Sequence, residues 1–391
     1  MDFSFTAEQE KFKQEVCEFL DREVTEGVIQ ESESGLGLGP HSWELMRKLG
    51  ARGWLAPSFP KEYGGLGLSH IYRYIIRNEL DYRNALTFIS GGLGLVGTEI
   101  AGPTILRYGS EELKGEFLPR IARGEIEFAL GFTEPEAGSD LSRIEMRAVR
   151  QGDEYVITGQ KIFNTACHFA QYHWLCIRTD PDAPRHRGLS MFVVDLKTPG
   201  ITISPLWEMS GTRTNEVFYD EVRVSKRYLV GEENRGWYYM ASALDLERLM
   251  TVGGLQRIFD HLVDFVKNNS RKGMPLSKDP LVRQRLAEMA IELSVARNLA
   301  QKVVWLQDKG VIPAYEGASL KLFVTEFLQR LSSVALQILG LLGQLREDSK
   351  YSVVKGEIER FYRGSFVVTI GGGSSEIMRT IIALRGLGLP R

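Results

Sequence analysis

The sequence contains little cysteine and no large excess of charge of either sign. Its three cysteines, Cys17, Cys167 and Cys176, are odd in number and follow no framework spacing, so no disulfide scaffold is predicted. Among the 391 residues, 48 basic and 50 acidic side chains give a formal charge of −2. A nucleic-acid-binding surface normally shows a strong basic excess, so we expect no nucleic-acid partner.

Long apolar runs are also missing. A membrane span needs about 20 apolar residues, and the longest candidate, SSVALQILGLLGQL, is too short and carries polar residues. The first residues, MDFSFTAEQEKFKQEV, show neither a basic nor an apolar region typical of a signal peptide. Since 43% of the residues are apolar and 25% charged, the sequence predicts a cytoplasmic globular protein with a substantial core.

Several well-defined catalytic and binding motifs are absent or lie in the wrong context. GxSxG, HExxH and GxxxxGK[ST] do not occur. GLGLVG, residues 92–97, matches GxGxxG, but no clear strand precedes it and Pro103 interrupts the helix that should follow. The Cys and His residues between 167 and 176 resemble metal ligands, but strand periodicity divides them between two faces, so no metal is predicted.

The periodicity of apolar residues changes twice along the chain. Helical patterns, beginning with a capping box at Thr6 and Gln9, fill the first part. Short segments rich in β-branched and aromatic residues then alternate with turns, which favours an antiparallel barrel or sandwich. Helical windows return over 236–269, 279–309, 313–343 and 352–387. We therefore predict a helical domain over 1–125, a β domain over 126–235 and a helical bundle over 236–391.

Two segments carry most of the chemical information. FALGFTEPEAGSDLSR, residues 128–143, combines acids, small residues and hydroxyls in a polar loop. In DLERL, residues 245–249, helical spacing allows Asp245 and Arg248 to pair, whereas the neighbours of Glu247 are uncharged. Glu247 is therefore either at a helix edge facing water or a desolvated base with a raised pKa.

Together with PKEYGGLG, KIFNT, QILG and GGGSSEIMRTIIALRG, these segments resemble the acyl-CoA dehydrogenase family over nearly the whole chain. The resemblance implies a mostly α fold with a central β-barrel, namely a helical domain, a barrel and a four-helix bundle. It also implies FAD, an acyl-CoA substrate, an electron-transfer flavoprotein as acceptor, and a homo-oligomeric dimer of dimers. The carboxyl-terminal motifs look most like bacterial members that act on cyclic or steroid-derived acyl-CoAs.

The resemblance also implies roles for individual residues. Thr133 would bond the flavin edge, Thr165 would lie near N5, and Phe163 stands where most relatives have tryptophan. SRKGMPL is one residue shorter than the family's arginine motif, which leaves the role of Arg271 open. The implied FAD contacts are Phe132, Thr133, Phe163, Thr165, Arg271, Gln337, Gly340, Ser374 and Glu376, with Gln337 and Gly340 serving a partner subunit. The implied substrate contacts are Ser139, Arg248 and Gly372.

The general base departs from the common family pattern. Many relatives place a glutamate where this chain has Gly372, but a minority use a glutamate at the position of Glu247. The resemblance therefore implies that Glu247 is the base, with Glu99 as the alternative, although a solvated surface role is the simpler interpretation of Glu99. Asp81 and Asp140 are expected to be ion-paired or capping residues.

The implied reaction is 2,3-dehydrogenation of an acyl-CoA by α-proton abstraction and β-hydride transfer to flavin N5. Two alternatives stay open: an FAD-dependent oxidase or monooxygenase of the same fold, and a non-catalytic partner subunit of a heteromeric dehydrogenase. Loss of the usual base at Gly372 favours the last, and the presence of Glu247 opposes it.

Overall fold

A computed structural model describes residues 3–85, 92–247 and 250–390, with the side chains of residues 244–247 left undescribed. The chain forms two compact units. The sheet unit comprises Arg22–Arg73 and Ala85–Glu247, and the helical unit comprises Met1–Asp21, Tyr74–Asn84 and Arg248–Arg391. Helical segments thus precede and follow a central sheet segment along the chain, which confirms the predicted fold class.

The helices follow amphipathic stretches with recognisable ends. Thr6 and Gln9 form the predicted capping box, because each backbone N–H donates to the other side chain, at 3.0 and 3.3 Å. Asp279 caps the longest helix by accepting from the N–H of Leu281 at 2.9 Å. The helices are α1 Ala7–Glu23, α2 Glu26–Glu33, α3 Pro40–Ala51, α4 His70–Tyr82, α5 Gly102–Tyr108, α6 Glu111–Ala122, α7 Gly236–Glu247, α8 Gly253–Asn268, α9 Pro280–Asp308, α10 Ala314–Leu339, α11 Glu357–Val368 and α12 Ser375–Ile381.

The strands of the sheet unit form one sheet in the order β6-β7-β3-β2-β4-β5-β8, with β1 added to β4 in parallel. Most pairs are antiparallel, and no hydrogen-bonded pair of described strands joins β6 to β8, so the sheet is an open form of the expected barrel. The strands are β1 Phe128–Gly131, β2 Arg147–Gln151, β3 Glu154–Lys161, β4 Tyr172–Arg178, β5 Leu189–Asp195, β6 Ile201–Trp207, β7 Arg213–Ser225 and β8 Leu229–Val230, and a hairpin of the helical unit adds β9 Ser270–Arg271 and β10 Met274–Pro275.

The central strand β4 is buried on both faces. Trp174 and Cys176 point into a core that includes residues of α5, α6 and α7, whereas Leu175 and Ile177 point into a second core on the other face. The alternation explains why β4 reads as a nearly continuous apolar run. β1, which ends just before the predicted site residue Phe132, pairs with β4 along its whole length.

The helical unit is built around α10, which contacts α8, α9, α11 and α12. Two of the predicted helical windows were too long. The window over 236–269 is interrupted between α7 and α8, where Gly253 starts the second helix with its Cα close to the backbone of Asn78. The window over 352–387 is interrupted at 369–374, where Gly372 and Gly373 adopt positive φ.

The segment Ala314–Gln344 is long and apolar enough to cross a membrane by length and composition alone, which corrects the sequence-based statement that no such stretch exists. Half of its most apolar window is buried inside the protein. A core helix of a soluble protein meets the same criterion, and the contacts of α10 with four other helices fit that interpretation.

A buried arginine joins distant parts of the helical unit. Arg257 on α8 donates through Nε to Glu357 of α11 at 2.6 Å, and its other nitrogens reach the carbonyls of Asp81 and Tyr82 and the side chain of Asn84. Arg257 and Glu357 are 7% and 4% exposed and pair with each other, and Nδ1 of His261 lies 2.6 Å from the second oxygen of Glu357.

We predict that His173 makes the stability of the sheet unit depend on pH. The side chain is fully buried on β4, with Nδ1 2.6 Å from the hydroxyl of Tyr219, and burial lowers the pKa of His173 from 6.5 to about 3. The unfolded chain binds the proton below pH 6.5 while the folded chain does not. The stability contributed by neutral His173 is therefore fully present above pH 6.5, and falls by about 1.4 kcal/mol per unit as the pH drops toward 3.

Denaturant unfolding of the parent and His173→Gln between pH 7 and pH 5 checks this expectation. The difference between the two unfolding free energies isolates His173 from carboxylates that titrate in both proteins. We expect the parent to lose stability more steeply, by up to about 1.4 kcal/mol per pH unit. If the unfolding free energies of the two proteins changed equally with pH, His173 would not be a source of the pH dependence.

Candidate functional site

Two short strips of the sheet unit, residues 130–134 and 161–165, lie side by side. The amide nitrogen of Asn164 donates to the carbonyl of Leu130 at 2.9 Å, and the N–H of Ile162 donates to the carbonyl of Thr133 at 3.0 Å. The Lys161 ammonium donates to the carbonyl of Phe132 at 3.0 Å. The structure thus brings together Phe132, Thr133, Phe163 and Thr165, the predicted flavin contacts of this unit.

Phe163 has the most unusual conformation of the second strip. Its φ is +57° and its side chain is 58% exposed, although it is a large apolar residue. An aromatic residue in the left-handed region is strained, and such strain is concentrated at functional sites. The flanking Asn164 is buried, which fixes the backbone on which the exposed ring stands.

Hydroxyl groups accompany this exposed ring. Thr133 and Thr165 are half-buried, and the Thr165 hydroxyl donates to that of Thr214 at 3.3 Å. An aromatic surface with two nearby hydroxyls offers stacking and hydrogen bonding to a flat heteroaromatic ring. The residues present therefore fit an isoalloxazine group.

The loop after the first strip contains Ser139, which is exposed. Asp140 caps the turn that follows by accepting from the N–H and hydroxyl of Ser142, at 3.2 and 2.5 Å, and it lies 3.5 Å from Arg185. The hydrogen bonds from Ser142 lower the pKa of Asp140 despite a small opposing effect of burial. Asp140 is therefore a capping and ion-paired residue, as predicted.

The loop that carries Gly372 joins α11 to α12. It is closed by the N–H of Ser375, which donates to the carbonyl of Thr369 at 3.0 Å, and by the buried Lys321, which donates to the carbonyl of Gly373 at 2.6 Å. A side chain added at Gly372 would meet no heavy atom within 4 Å among the described residues. Gly372, a predicted substrate contact, therefore presents its backbone next to open space.

We predict that Gly372→Ala lowers the unfolding free energy by about 1–2 kcal/mol, because the φ of +67° disfavours any L side chain even where space is available. Gly115→Ala is the matched control, since Gly115 lies within α6 and also has no neighbour within 4 Å. That change should stabilise the protein slightly. Equal effects of the two substitutions on denaturant unfolding would contradict the strain argument.

The other predicted FAD contacts lie in two parts of the helical unit: β9 with the end of α10, and the start of α12. Arg271 donates to the carbonyl of Ile338, which places it beside the exposed Gln337 and Gly340. Ser374 caps α12 by accepting from the N–H of Ile377 at 3.3 Å. Glu376 is exposed and lines a groove of about 690 Å³ between α9, α10 and α12. Although the arginine motif is one residue shorter than in the family, Arg271 thus lies beside Gln337 and Gly340, which are predicted to contact the FAD of a partner subunit.

The predicted base and its neighbour can be placed only in part. Glu247 is the last residue of α7, and its side chain is outside the described part of the structure. Arg248 also lies outside the described residues. The competing orientations of Glu247, toward water or toward a ligand, both remain predictions.

Glu99 is buried, which corrects the expectation that it is solvated. It lies in a π-helical turn, Gly97–Ala101, and one carboxylate oxygen is 2.7 Å from Nη1 of the equally buried Arg73. A single π-helical turn is frequent at functional sites, but the ion pair engages one of the carboxylate oxygens. Asp81 is partly buried and accepts a hydrogen bond from the Thr251 hydroxyl, just before α8, at 2.7 Å.

The GLGLVG motif and the Cys and His residues between 167 and 176, which were not predicted to bind a nucleotide or a metal, have structural roles. Gly97 starts the π-helical turn instead of a phosphate-binding helix, and its N–H donates to the buried carboxylate of Glu127 at 2.9 Å. Cys167 and Cys176 lie in the two different cores, although Cys167 precedes β4 instead of lying in a strand. Among the described residues, no group of His, Cys, Asp or Glu could hold a metal ion.

Sequence reasoning missed the ion pair beneath the two strips. The fully buried Lys161 lies 2.8 Å from Glu134, which is itself buried. Glu134 belongs to the motif TEPEAGSD and Lys161 to the motif KIFNT, and both motifs were noted in the sequence. The two residues are 27 positions apart, and no sequence pattern indicates that they form a pair. Alternation along β3 could have flagged Lys161 as pointing inward.

Comparisons with known proteins agree along the whole chain. Three family models match in order: the acyl-CoA dehydrogenase N-terminal domain over 6–125, the middle domain over 129–222 and the C-terminal domain over 234–387. Acyl-CoA dehydrogenase FadE26 of Mycobacterium tuberculosis is 32% identical over 405 residues, which cover 100% of this chain and 99% of that protein. Two solved structures are similar at 32% identity and full coverage of both chains: a Tcur3481-Tcur3483 steroid ACAD, with a TM-score of 0.92, and the ChsE4-ChsE5 complex from M. tuberculosis, with a TM-score of 0.91.

Proposed function

The chain belongs to the acyl-CoA dehydrogenase family, and on this basis we propose that it oxidises an acyl-CoA thioester to the 2,3-enoyl-CoA with FAD as its cofactor. The observation that carries the proposal is the strained, exposed Phe163 between the half-buried Thr133 and Thr165. This surface lies in the segment matched by the family's middle domain. The three residues would hold the flavin ring, which when bound accepts a hydride from the β-carbon.

In this proposal Glu247 removes the α-proton. A carboxylate at the end of α7 can accept a proton if the thioester carbonyl is polarised and the resulting negative charge is stabilised. The backbone N–H at Gly372 is the proposed donor to the carbonyl oxygen. A glycine keeps this N–H, so replacement of the usual base at Gly372 does not remove the donor.

We further propose a bulky or ring-bearing acyl group as substrate. Open space next to Gly372 supports this choice, because a glutamate at that position would fill part of it. The similar solved structure described as a steroid ACAD supports the same class. Ser139 and Arg248 would contact the CoA portion, and Arg271, Gln337, Gly340, Ser374 and Glu376 would contact the rest of FAD in the chain or its partner.

For partners and organisation we propose an electron-transfer flavoprotein as acceptor, a cytoplasmic location, and domains over 1–125, 126–235 and 236–391. A homo-oligomeric dimer of dimers is the first expectation for assembly. The similar ChsE4-ChsE5 structure is a complex of two named proteins, so a heteromer is the second candidate. In a heteromer this chain could be the non-catalytic subunit, which the glycine at position 372 favours.

Anaerobic mixing of the FAD-loaded protein with a series of linear, branched and cyclic acyl-CoAs tests the proposal. We expect loss of the flavin absorbance near 450 nm, reoxidation by ferrocenium, and enoyl-CoA identified by mass spectrometry as a product two mass units lighter (about 2 Da, loss of H2). Rapid reoxidation by O2 would indicate an oxidase. A purified chain that is inactive alone but active with a co-purified homologue would indicate the non-catalytic subunit.

A further inference from the structure

We propose that the buried ion pair between Glu134 and Lys161 is a positioning pair, which holds the two flavin-contact strips in register and connects them to the Ser139 loop. The inference rests on the proposed function, because it concerns how the chain shapes its FAD surface. Neither residue is expected to touch the substrate.

The contacts of Lys161 tie the second strip to the first. Lys161 ends β3, two residues before Phe163, and its ammonium donates both to the carbonyl of Phe132 at 3.0 Å and to the carboxylate of Glu134 at 2.8 Å. The side chain has no exposed surface. Two of its three donors therefore join the strip that carries Phe163 to the strip that carries Thr133.

The contacts of Glu134 extend this connection to the substrate loop. Its carboxylate accepts from the N–H of Glu145 at 2.7 Å and from the N–H of Met146 at 3.1 Å. Its backbone also exchanges two hydrogen bonds with Ala137, at 3.0 and 3.1 Å. Glu134 thus holds both ends of the segment 134–146, which contains Ser139.

Energetics explain why such a pair serves geometry more than stability. Burying two charges costs several kcal/mol each, and their attraction often does no more than offset that cost. A well-packed apolar pair would avoid that cost, but it would leave the carbonyl of Phe132 and the N–H groups of Glu145 and Met146 without these partners. Burial lowers the pKa of Lys161, and the neighbouring Glu134 carboxylate opposes that shift.

The test compares FAD affinity in the full-length, FAD-loaded protein and its variants Lys161→Met, Lys161→Arg and Glu134→Gln. Release of FAD on dilution is followed by its fluorescence, at a temperature well below the melting point of each variant. If the pair only stabilised the fold, its loss would lower the melting point but leave the dissociation constant for FAD unchanged at this temperature. Lys226→Met is the matched control, since Lys226 pairs with Asp153 in the same unit at 2.5 Å but is about half exposed.

We expect the dissociation constant for FAD to rise about tenfold or more in Lys161→Met, less in Glu134→Gln and Lys161→Arg, and to stay within twofold in the control. Glu134→Gln should also weaken binding of free coenzyme A, measured by calorimetry, because it loosens the Ser139 loop. A rise in the FAD constant no larger than that of the control overturns the proposal. Failure of all three variants to fold also overturns it, since the pair would then act on the fold as a whole.

FAD binding by the parent protein separates a wrong function from a wrong role of the ion pair. If the parent protein binds no FAD, the proposed function is wrong. If the parent binds FAD and is reduced by an acyl-CoA while the variants bind FAD equally well, only the positioning role is wrong.

Discussion

Replacing Glu247 by glutamine is expected to slow reduction of the bound flavin by acyl-CoA about 10²–10⁴-fold. Glutamine keeps the size of the side chain and removes its ability to accept a proton. Because α-proton removal and hydride loss complete one oxidation, the amide should block the reaction without preventing FAD or CoA binding. Stopped-flow absorbance near 450 nm measures the effect directly.

Glu99→Gln provides the comparison, because Glu99 is the other candidate base and is paired with Arg73. We expect this variant to lose stability while retaining exchange of the substrate α-hydrogen with D2O, and Glu247→Gln to lose that exchange. If Glu247→Gln reduces its flavin at the parental rate, Glu247 has no part in proton transfer. If Glu99→Gln alone loses exchange, the base lies in the π-helical turn.

The second large effect is expected for Arg257→Met, which should lower the unfolding free energy of the helical unit by about 3–5 kcal/mol. Methionine fills much of the same volume but leaves the buried Glu357 without its ion pair and the carbonyl of Tyr82 without the donor at 3.2 Å. His261, whose Nδ1 is 2.6 Å from the other Glu357 oxygen, is too exposed to replace a buried guanidinium.

Arg285→Met is the appropriate control for this prediction. Arg285 pairs with Glu288 at 3.3 Å on the surface of α9, where both side chains are about half exposed, and such pairs contribute about 0–1 kcal/mol. Denaturant or thermal unfolding of the FAD-loaded protein measures both variants. Similar losses of unfolding free energy in Arg257→Met and Arg285→Met would show that burial does not increase the contribution of an ion pair to stability.

Local patterns in the sequence predicted the parts of the fold that depend on neighbouring residues. The Thr6–Gln9 capping box and the short strands of the central segment follow from spacing and residue type within short windows. The interruption between α7 and α8 was missed because the helical period of apolar residues continues across it. At the start of α8, a Cβ on Gly253 would lie 2.2 Å from the carbonyl oxygen of Asn78, and the local pattern does not contain this long-range contact.

The site was predictable where residue identity alone carries the resemblance, and unpredictable where it depends on long-range contacts. Phe163 and Thr165 could be chosen from their motif, but the motif does not reveal the positive φ of Phe163. The burial of Glu99 depends on Arg73, and that of Lys161 depends on Glu134. Charged residues are rarely buried, so composition alone favours the solvated interpretation that proved wrong for Glu99.

The helical unit takes its first pieces from Met1–Asp21 and Tyr74–Asn84 and the remainder from Arg248–Arg391. During translation, Thr251 and Arg257, the partners of Asp81 and Asn84, are synthesised only after roughly 170 further residues, about 10–30 s later at about 5–20 residues per second. During that interval Met1–Asp21 and Tyr74–Asn84 lack the rest of the helical unit and leave apolar surface uncovered. Nascent chains stalled within the sheet segment should therefore bind chaperones through these two pieces. A gene cut before residue 234 to express the last segment alone would produce a fragment that lacks these early helices.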